Sequence, residues 1–223
     1  MSDTVLICGG GGALGSAVAA ACLARGDRVE IADVGASSDP PVDGVRRHSL
    51  DLTAPNEVDA LWERLVGDGH VPRWVVNVAG GFREGTVAES RPASVAFVES
   101  LNLETAWWSC RAAARNLPAG GGIVNVGART AIQGGAGAAA YAVAKAGVVR
   151  LTQVLADELR EQGIRSNAIL PAIIDTPANR ASLPPEALEK AVVPADIASV
   201  VAFLLSDAAA AVTGAIIPVY GFA

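Results

Sequence analysis

The sequence predicts an α/β fold, built as a single-domain, doubly wound parallel β-sheet with helices on both faces. Short runs rich in β-branched residues alternate with longer Ala-rich segments along all 223 residues. Strands that alternate with helices of this length form right-handed βαβ units and therefore a parallel sheet. The near-continuous apolar run at 75–78 fits a strand that is buried on both sides. Because no Pro- or Ser-rich linker divides the chain, one domain over residues 1–223 is expected.

Each element is predicted from its own local pattern. Short β-branched or apolar runs predict seven strands, at 4–8, 28–32, 45–50, 74–78, 123–126, 166–170 and 215–219. Longer Ala-rich segments predict helices at 13–25, 55–67, 92–116, 138–162 and 195–206. The segment 177–192 contains three prolines and is the best candidate for a mobile lid beside a site.

The composition excludes several classes of protein. A hydrophobic share of 51% with 18% charged residues is too apolar for a disordered chain. No run of about 20 uninterrupted apolar residues is available to cross a membrane, and the N-terminus lacks the basic region of a secretion signal. The net charge of −6 argues against nucleic acid as the main partner. Cys8, Cys22 and Cys110 are odd in number and widely spaced, so we expect neither disulfides nor a metal site, and a cytoplasmic protein.

A glycine-rich loop joins the first predicted strand to the first predicted helix. It reads Gly-Gly-Gly-Gly-Ala-Leu-Gly over 9–15, and two registers fit a dinucleotide motif, one from Gly10 through Gly12 to Gly15 and a longer one from Gly9 to Gly15. Glycines there permit a tight turn and close approach to a pyrophosphate, which the positive end of the helix then attracts. The loop predicts a Rossmann-like site made by Gly9, Gly12, Ala13, Leu14 and Gly15; the alternative is a purely structural turn.

An aspartate follows the second predicted strand. Asp33 lies 18 positions after Gly15, where a carboxylate accepts hydrogen bonds from ribose hydroxyls and repels a 2′-phosphate. No Lys or Arg stands in the glycine loop or just after Asp33 to neutralise such a phosphate. NAD(H) is therefore expected in preference to NADP(H), unless Asp33 is merely a solvated aspartate at a strand end.

A tyrosine and a lysine four residues apart predict acid–base chemistry. The chain has only two tyrosines and two lysines, yet Tyr141 and Lys145 fall on one face of a predicted helix. An ammonium beside a phenol lowers the phenol's pKa from about 10, so that the hydroxyl can exchange a proton with a substrate. The alternative is a packed Tyr141 and a solvated Lys145.

These motifs, in this order, resemble the short-chain dehydrogenase/reductase family over essentially the whole chain. Besides the glycine loop and the Tyr-x-x-x-Lys pair, the resemblance rests on Asp51-Leu52, Asn77-Val78-Ala79-Gly80, Asn102, Gly163-Ile164-Arg165-Ser166-Asn167-Ala168, Pro171-Ala172-Ile173-Ile174-Asp175-Thr176 and Val212-Thr213-Gly214.

The resemblance implies further roles, position by position. Asp51 and Leu52 would lie along the adenine, unless Asp51 is a loop carboxylate before Thr53, and Asn77, Ala79 and Gly80 would support the adenosine side. Lys145 would bind the nicotinamide ribose as well as tune Tyr141. Asn102 would hold a water of a proton relay, unless its amide is satisfied within its own helix. Ile174 and Thr176 would anchor the carboxamide. The helices at 92–116 and 138–162 resemble those that join subunits in this family, so a homodimer or homotetramer is expected.

One position departs from the family pattern. Most members carry a serine thirteen positions before the tyrosine, and here that position is Ala128. Losing one such donor typically costs about 10²–10³ in rate; Thr130 and Gln133 are nearby candidates to replace it. The dihydropteridine reductases share this gap, and the chain resembles them around 12–16, 78–82 and 127–129. Reduction of a dihydropterin-like ring and a non-catalytic NAD(H) sensor are therefore alternatives to carbonyl or alcohol chemistry.

Two histidines and an arginine pair receive no functional role. His48 and His70 stand in loop-like sequence without partners at ligand spacing, and Arg46 with its neighbour reads as a solvated pair.

Overall fold

A single seven-stranded sheet organises the molecule. The computed structural model describes residues 3–35 and 43–222. All strand pairs are parallel, and the spatial order is β3-β2-β1-β4-β5-β6-β7. The strands are β1 (Thr4–Cys8), β2 (Arg28–Asp33), β3 (Val45–Ser49), β4 (Trp74–Asn77), β5 (Gly122–Val126), β6 (Arg165–Pro171) and β7 (Ile216–Val219). The predicted doubly wound parallel sheet is confirmed, with strand boundaries within one residue of those expected.

Eight α-helices are described. They are α1 (Ala13–Ala24), α2 (Pro55–Gly67), α3 (Pro92–Glu99), α4 (Thr105–Asn116), α5 (Ala139–Glu158), α6 (Pro177–Ser182), α7 (Pro185–Leu188) and α8 (Pro194–Leu204). The helix predicted at 92–116 is divided, because a π-helical turn at Ser100–Glu104 separates α3 from α4. The one predicted at 138–162 becomes α5 followed by a 3₁₀ turn at Arg160–Gln162. No helix among the described residues is long and apolar enough to cross a membrane.

Alternate residues of the strands supply two cores, one on each face of the sheet. Val5 and Ile7 of β1 pack with α1 and α8, whereas Leu6 and Cys8 pack with α2, α4 and α5. This alternation follows from the period of two along a strand, and it explains why the runs read as continuously apolar.

The segment predicted as a lid forms α6 and α7. Two backbone hydrogen bonds join the two ends of this segment, from Asp175 N to Val192 O (2.9 Å) and from Val192 N to Ile173 O (2.8 Å). The segment between these bonds therefore leaves and re-enters the fold at one place, beside the carboxyl end of β6.

Both histidines bind a buried carboxylate that the sequence interpretation did not identify. Glu30 of β2 is buried, and its two carboxylate oxygens accept hydrogen bonds from His48 Nε2 (2.7 Å) and His70 Nδ1 (3.0 Å). Arg46 is likewise engaged, since it donates to Asp68 (2.8 Å) and lies 3.5 Å from Glu30. The sequence pattern did not indicate this cluster, because its members come from β2, β3 and the end of α2. No group of three or more His, Cys, Asp or Glu side chains within 3–35 and 43–222 is arranged to hold a metal ion.

Candidate active site

A cavity of about 400 Å³ opens at the carboxyl ends of the central strands. The strand order reverses between β1 and β4, and ligands of open α/β sheets bind outside the strands at such a switch point. Twelve residues expected in the site line this cavity: Gly9, Gly12, Ala13, Leu14, Gly15, Asp33, Ala79, Gly80, Asn102, Tyr141, Lys145 and Ile174.

The glycine loop is packed so closely that a Cβ at Gly9 or Gly15 would overlap backbone atoms. Gly9 has φ of +89°, and a Cβ there would lie 2.3 Å from Ala79 N. A Cβ at Gly15 would lie 2.6 Å from the Gly10 Cα, so helix α1 packs directly on the loop. Gly12 differs, because an added Cβ would meet no atom within 4 Å. The loop thus leaves a backbone-lined cradle toward the cavity.

Helix α1 directs its N-terminus at this cradle. Gly12 is its N-cap, no side chain caps it, and its first turn carries no acidic residue. The first N–H groups of a helix have no partner within the helix and carry a partial positive charge. The residues present therefore fit a dinucleotide pyrophosphate.

Asp33 joins the glycine loop to the rim of the cavity. Its carboxylate accepts hydrogen bonds from Gly11 N (2.8 Å) and Val34 N (2.7 Å). The side chain therefore stabilises the loop, and it also faces the cavity with its charge.

Tyr141 and Lys145 lie on the same face of α5 and both line the cavity. Lys145 is buried and donates from Nζ to Val126 O (2.8 Å), and Nζ lies 5.9 Å from the centre of the Tyr141 ring. Burial lowers the pKa of Lys145 to about 8 and raises the pKa of Tyr141 to about 12. The expected lowering of the Tyr141 pKa by the ammonium is therefore wrong for this structure, because desolvation of the phenol dominates.

Asn102 stands in the π-helical turn and is fully buried. Its Nδ2 donates to Gly81 O (2.8 Å) and Val98 O (2.9 Å), and its Oδ1 accepts from Gly81 N (3.1 Å). A Cβ on Gly80 would lie 2.6 Å from Asn102 Oδ1 and 3.1 Å from Lys145 Nζ. Asn102 thus fixes the loop after β4 against Lys145, and its bonds extend beyond its own helix.

Four predicted site residues do not line the cavity. Asp51 accepts from Thr53 N (2.8 Å) and Thr53 Oγ1 (2.7 Å), which is the loop-carboxylate alternative, and Leu52 is buried in the core against α2. Asn77 donates to Asn125 Oδ1 (2.7 Å) beneath the site. Thr176 caps α6 by accepting from Asn179 N (3.2 Å).

Ala128 faces the cavity with a methyl group at the position of the expected serine. Neither proposed replacement lines the cavity: the Thr130 hydroxyl is buried without a hydrogen-bond partner, and Gln133 is exposed. Within the described part of the chain, no hydroxyl besides that of Tyr141 lines the site.

Phe82 and Asn179 are among the side chains that line the cavity without having been predicted as site residues. Phe82 directly follows the Gly80-Gly81 pair, so its position after β4 was a usable signal. Asn179 lies in α6 and donates to Ile174 O (2.7 Å). Asn179 lies within the segment predicted as a lid, but no sequence pattern singled it out from the other residues there.

Comparisons with known proteins agree with this architecture. A model of the family described as enoyl-(acyl carrier protein) reductase matches residues 11–221. Carbonyl reductase family member 4 of Danio rerio is 31% identical over 221 residues, which cover 93% of this chain and 92% of that protein. The 3-oxoacyl-(acyl-carrier-protein) reductase FabG of Pseudomonas aeruginosa is 34% identical over 184 residues, covering 77% of this chain and 74% of that protein.

A solved structure of a short chain dehydrogenase family protein from Francisella tularensis shares the fold. It superposes with a TM-score of 0.87 at 23% identity and covers 99% of this chain and 98% of its own. Sheet order, glycine loop, Tyr-x-x-x-Lys pair and sequence relatives all agree. The chain belongs to the short-chain dehydrogenase/reductase family, whose members are oxidoreductases that use a nicotinamide cofactor.

Proposed function

We propose that the protein is an NAD(H)-dependent oxidoreductase that acts on a small carbonyl, alcohol or imine-like substrate. The observation that carries the proposal is that one cavity contains the glycine cradle, Asp33, Tyr141 and Lys145. A sensor of NAD(H) would need the cradle but not a buried phenol and ammonium beside it.

The cofactor would lie along the carboxyl edge of the sheet. The cradle at Gly12 and the N-terminus of α1 would hold the pyrophosphate, and Asp33 would accept from the adenosine ribose. Lys145 would donate to the second ribose, and Ile174 would support the carboxamide. When bound there, a reduced nicotinamide supplies the hydride.

Tyr141 acts as the acid. Because burial raises its pKa to about 12, its hydroxyl is protonated at neutral pH and ready to donate to the substrate oxygen. The phenolate left behind is attracted by the ammonium of Lys145 one helical turn away, and such attraction is strong where water is excluded. In the oxidative direction the same residue takes the proton back.

Asp33 provides the test of cofactor choice. We expect Asp33→Ala to bring the dissociation constants of NADH and NADPH at least tenfold closer together, because the charge that repels a 2′-phosphate is lost. Because Asp33 also supports the glycine loop, a second variant, Asp33→Asn, retains the shape of the side chain but removes its charge. The control is Asp157→Ala, which removes a carboxylate from the exposed face of α5, away from the site. Fluorescence titration gives both constants; an unchanged preference in both Asp33 variants would refute the role.

Ala128 favours a second candidate reaction, reduction of a quinonoid dihydropterin. In that reaction a ring nitrogen of the dihydropterin would accept the proton from Tyr141. Because no substrate oxygen reacts, no serine is needed to hold one. NADH oxidation by quinonoid dihydropterin and by a panel of ketones separates the two reactions. Turnover of ketones alone would discard the dihydropterin reaction.

We also propose a cytoplasmic homodimer or homotetramer joined through α4 and α5. In support, Trp107 is 50% exposed on α4 and borders a groove with Leu151 and Val154 of α5. Exposed apolar surface of this kind commonly marks an interface. Light scattering on Trp107→Glu against the unaltered protein tests the assembly.

A further inference from the structure

Phe82 presents an open aromatic face beside the catalytic tyrosine. Its ring lies edge-on to that of Tyr141, with 5.3 Å between ring centres and 80° between ring planes. The side chain is 58% exposed and lines the cavity. A large ring in contact with the proton donor yet open to water is placed to be covered by whatever approaches Tyr141.

The walls around Phe82 carry little charge. Of the described residues that line the cavity, only Asp33 and Lys145 are charged. Asp33 accepts from the glycine loop, and the Lys145 ammonium donates to Val126 O. Ala128 and Leu101 add apolar surface.

Arginines on the surrounding segments are also engaged elsewhere. Arg83 stacks on Phe97 at 4.4 Å, Arg129 lies 5.9 Å from the centre of the Tyr220 ring, and Arg180 donates to Asp175. No arginine is among the described residues that line the cavity, and the Lys145 ammonium already donates to Val126 O, so desolvating a carboxylate or phosphate near the reacting carbon would be costly.

We infer that the substrates are uncharged ketones or secondary alcohols with an aryl group next to the reacting carbon, and that Phe82 sets this preference by packing on that group. This inference rests on the proposed function and names its substrate class. In the reductive direction the carbonyl carbon gains the hydride of the reduced nicotinamide and the oxygen gains the Tyr141 proton. The products are a secondary alcohol and the oxidised cofactor.

The test compares matched ketones in matched variants. Wild-type kcat/KM with NADH is measured for acetophenone, 2-butanone and the anionic aryl ketone benzoylformate. We expect acetophenone to be the best of the three, and Phe82→Ala to lower its kcat/KM relative to that of 2-butanone by about tenfold. Phe82→Trp should keep the ratio, since it restores an aromatic face.

Controls separate substrate contact from damage to the site. Phe203 is a comparably exposed phenylalanine on α8 that does not line the cavity, so Phe203→Ala should leave the ratio unchanged. NADH affinity of Phe82→Ala should stay within twofold of wild type. If ketones are reduced but the ratio is the same in wild type and Phe82→Ala, or benzoylformate is preferred, the inference alone is overturned. If no carbonyl, alcohol or imine substrate is turned over although NADH binds, the proposed function falls and the inference falls with it.

Discussion

Tyr141 and Lys145 lie one helical turn apart, and burial shifts their pKa values in opposite directions. The phenol's pKa is raised to about 12 and the ammonium's is lowered to about 8. In both cases the neutral form is favoured, as desolvation requires. The pair therefore holds a proton ready on the phenol, while the charge on the lysine opposes folding.

The cost of desolvating the Lys145 ammonium predicts that replacing this lysine stabilises the folded protein. At pH 7 the folded state of Lys145→Met is expected to gain about 1–3 kcal/mol in free energy of unfolding, because no buried ammonium has to be desolvated. Activity should fall at the same time. A variant less stable than wild type at pH 7 would contradict this assignment.

The pH dependence of that difference follows from linkage. Between pH 8 and 10.5 the unfolded lysine binds more proton than the folded one, so wild-type stability rises with pH relative to Lys145→Met. The advantage of the variant should therefore shrink from pH 7 to pH 10 in urea unfolding. Cys8, Cys22, Cys110 and Tyr141, whose pKa values are raised, contribute equally to both proteins and cancel in the difference.

At the scale of elements, the glycines of the loop differ in their packing: some positions exclude a side chain, whereas others face open space. Gly9 is forced by its positive φ and by the nearby Ala79 backbone, whereas Gly12 has an ordinary φ of −83° and open space before it. Neighbouring glycines in one run are thus held for different reasons, which the run of letters alone does not reveal.

A pair of alanine substitutions separates these reasons. Gly9→Ala should lower the free energy of unfolding by about 2–4 kcal/mol through strain and overlap with Ala79. Gly12→Ala should lower the free energy of unfolding by less than about 1 kcal/mol, because that is the size of the difference between glycine and alanine as N-caps. The same substitution should weaken NADH binding at least tenfold, because the added methyl group fills the cradle. Urea unfolding and fluorescence titration measure both effects. Equal stability losses in the two variants would contradict the described packing.

The helix predicted over 92–116 is interrupted by a π-helical turn. Helical periodicity indicated one helix over 92–116, and the π-helical turn within it was not predictable. It contains Asn102, whose amide bonds both to Val98 of the preceding turn and to Gly81 beyond the helix. Such turns arise from tertiary partners and are frequent at functional sites, so local sequence does not specify them.

For the whole molecule, short β-branched runs that alternate with longer Ala-rich segments were enough to predict the sheet. Asp33 was predictable from its place at a strand end after the glycine loop, whereas Gly80 was predicted only through the family resemblance. The Glu30 cluster and the contact of Phe82 with Tyr141 were not predicted, because their members come from segments far apart in sequence. The direction of the Tyr141 pKa shift likewise depends on burial, which only the assembled fold provides.

In the proposed reaction, the Tyr141 hydroxyl donates its proton to a substrate bound beside the nicotinamide. The most direct measurement is the single-turnover rate of NADH oxidation by Tyr141→Phe, with a ketone that wild type reduces. We predict a rate lower by about 10²–10⁴, with NADH affinity and stability close to wild type. Hydride transfer at the wild-type rate in this variant would contradict it.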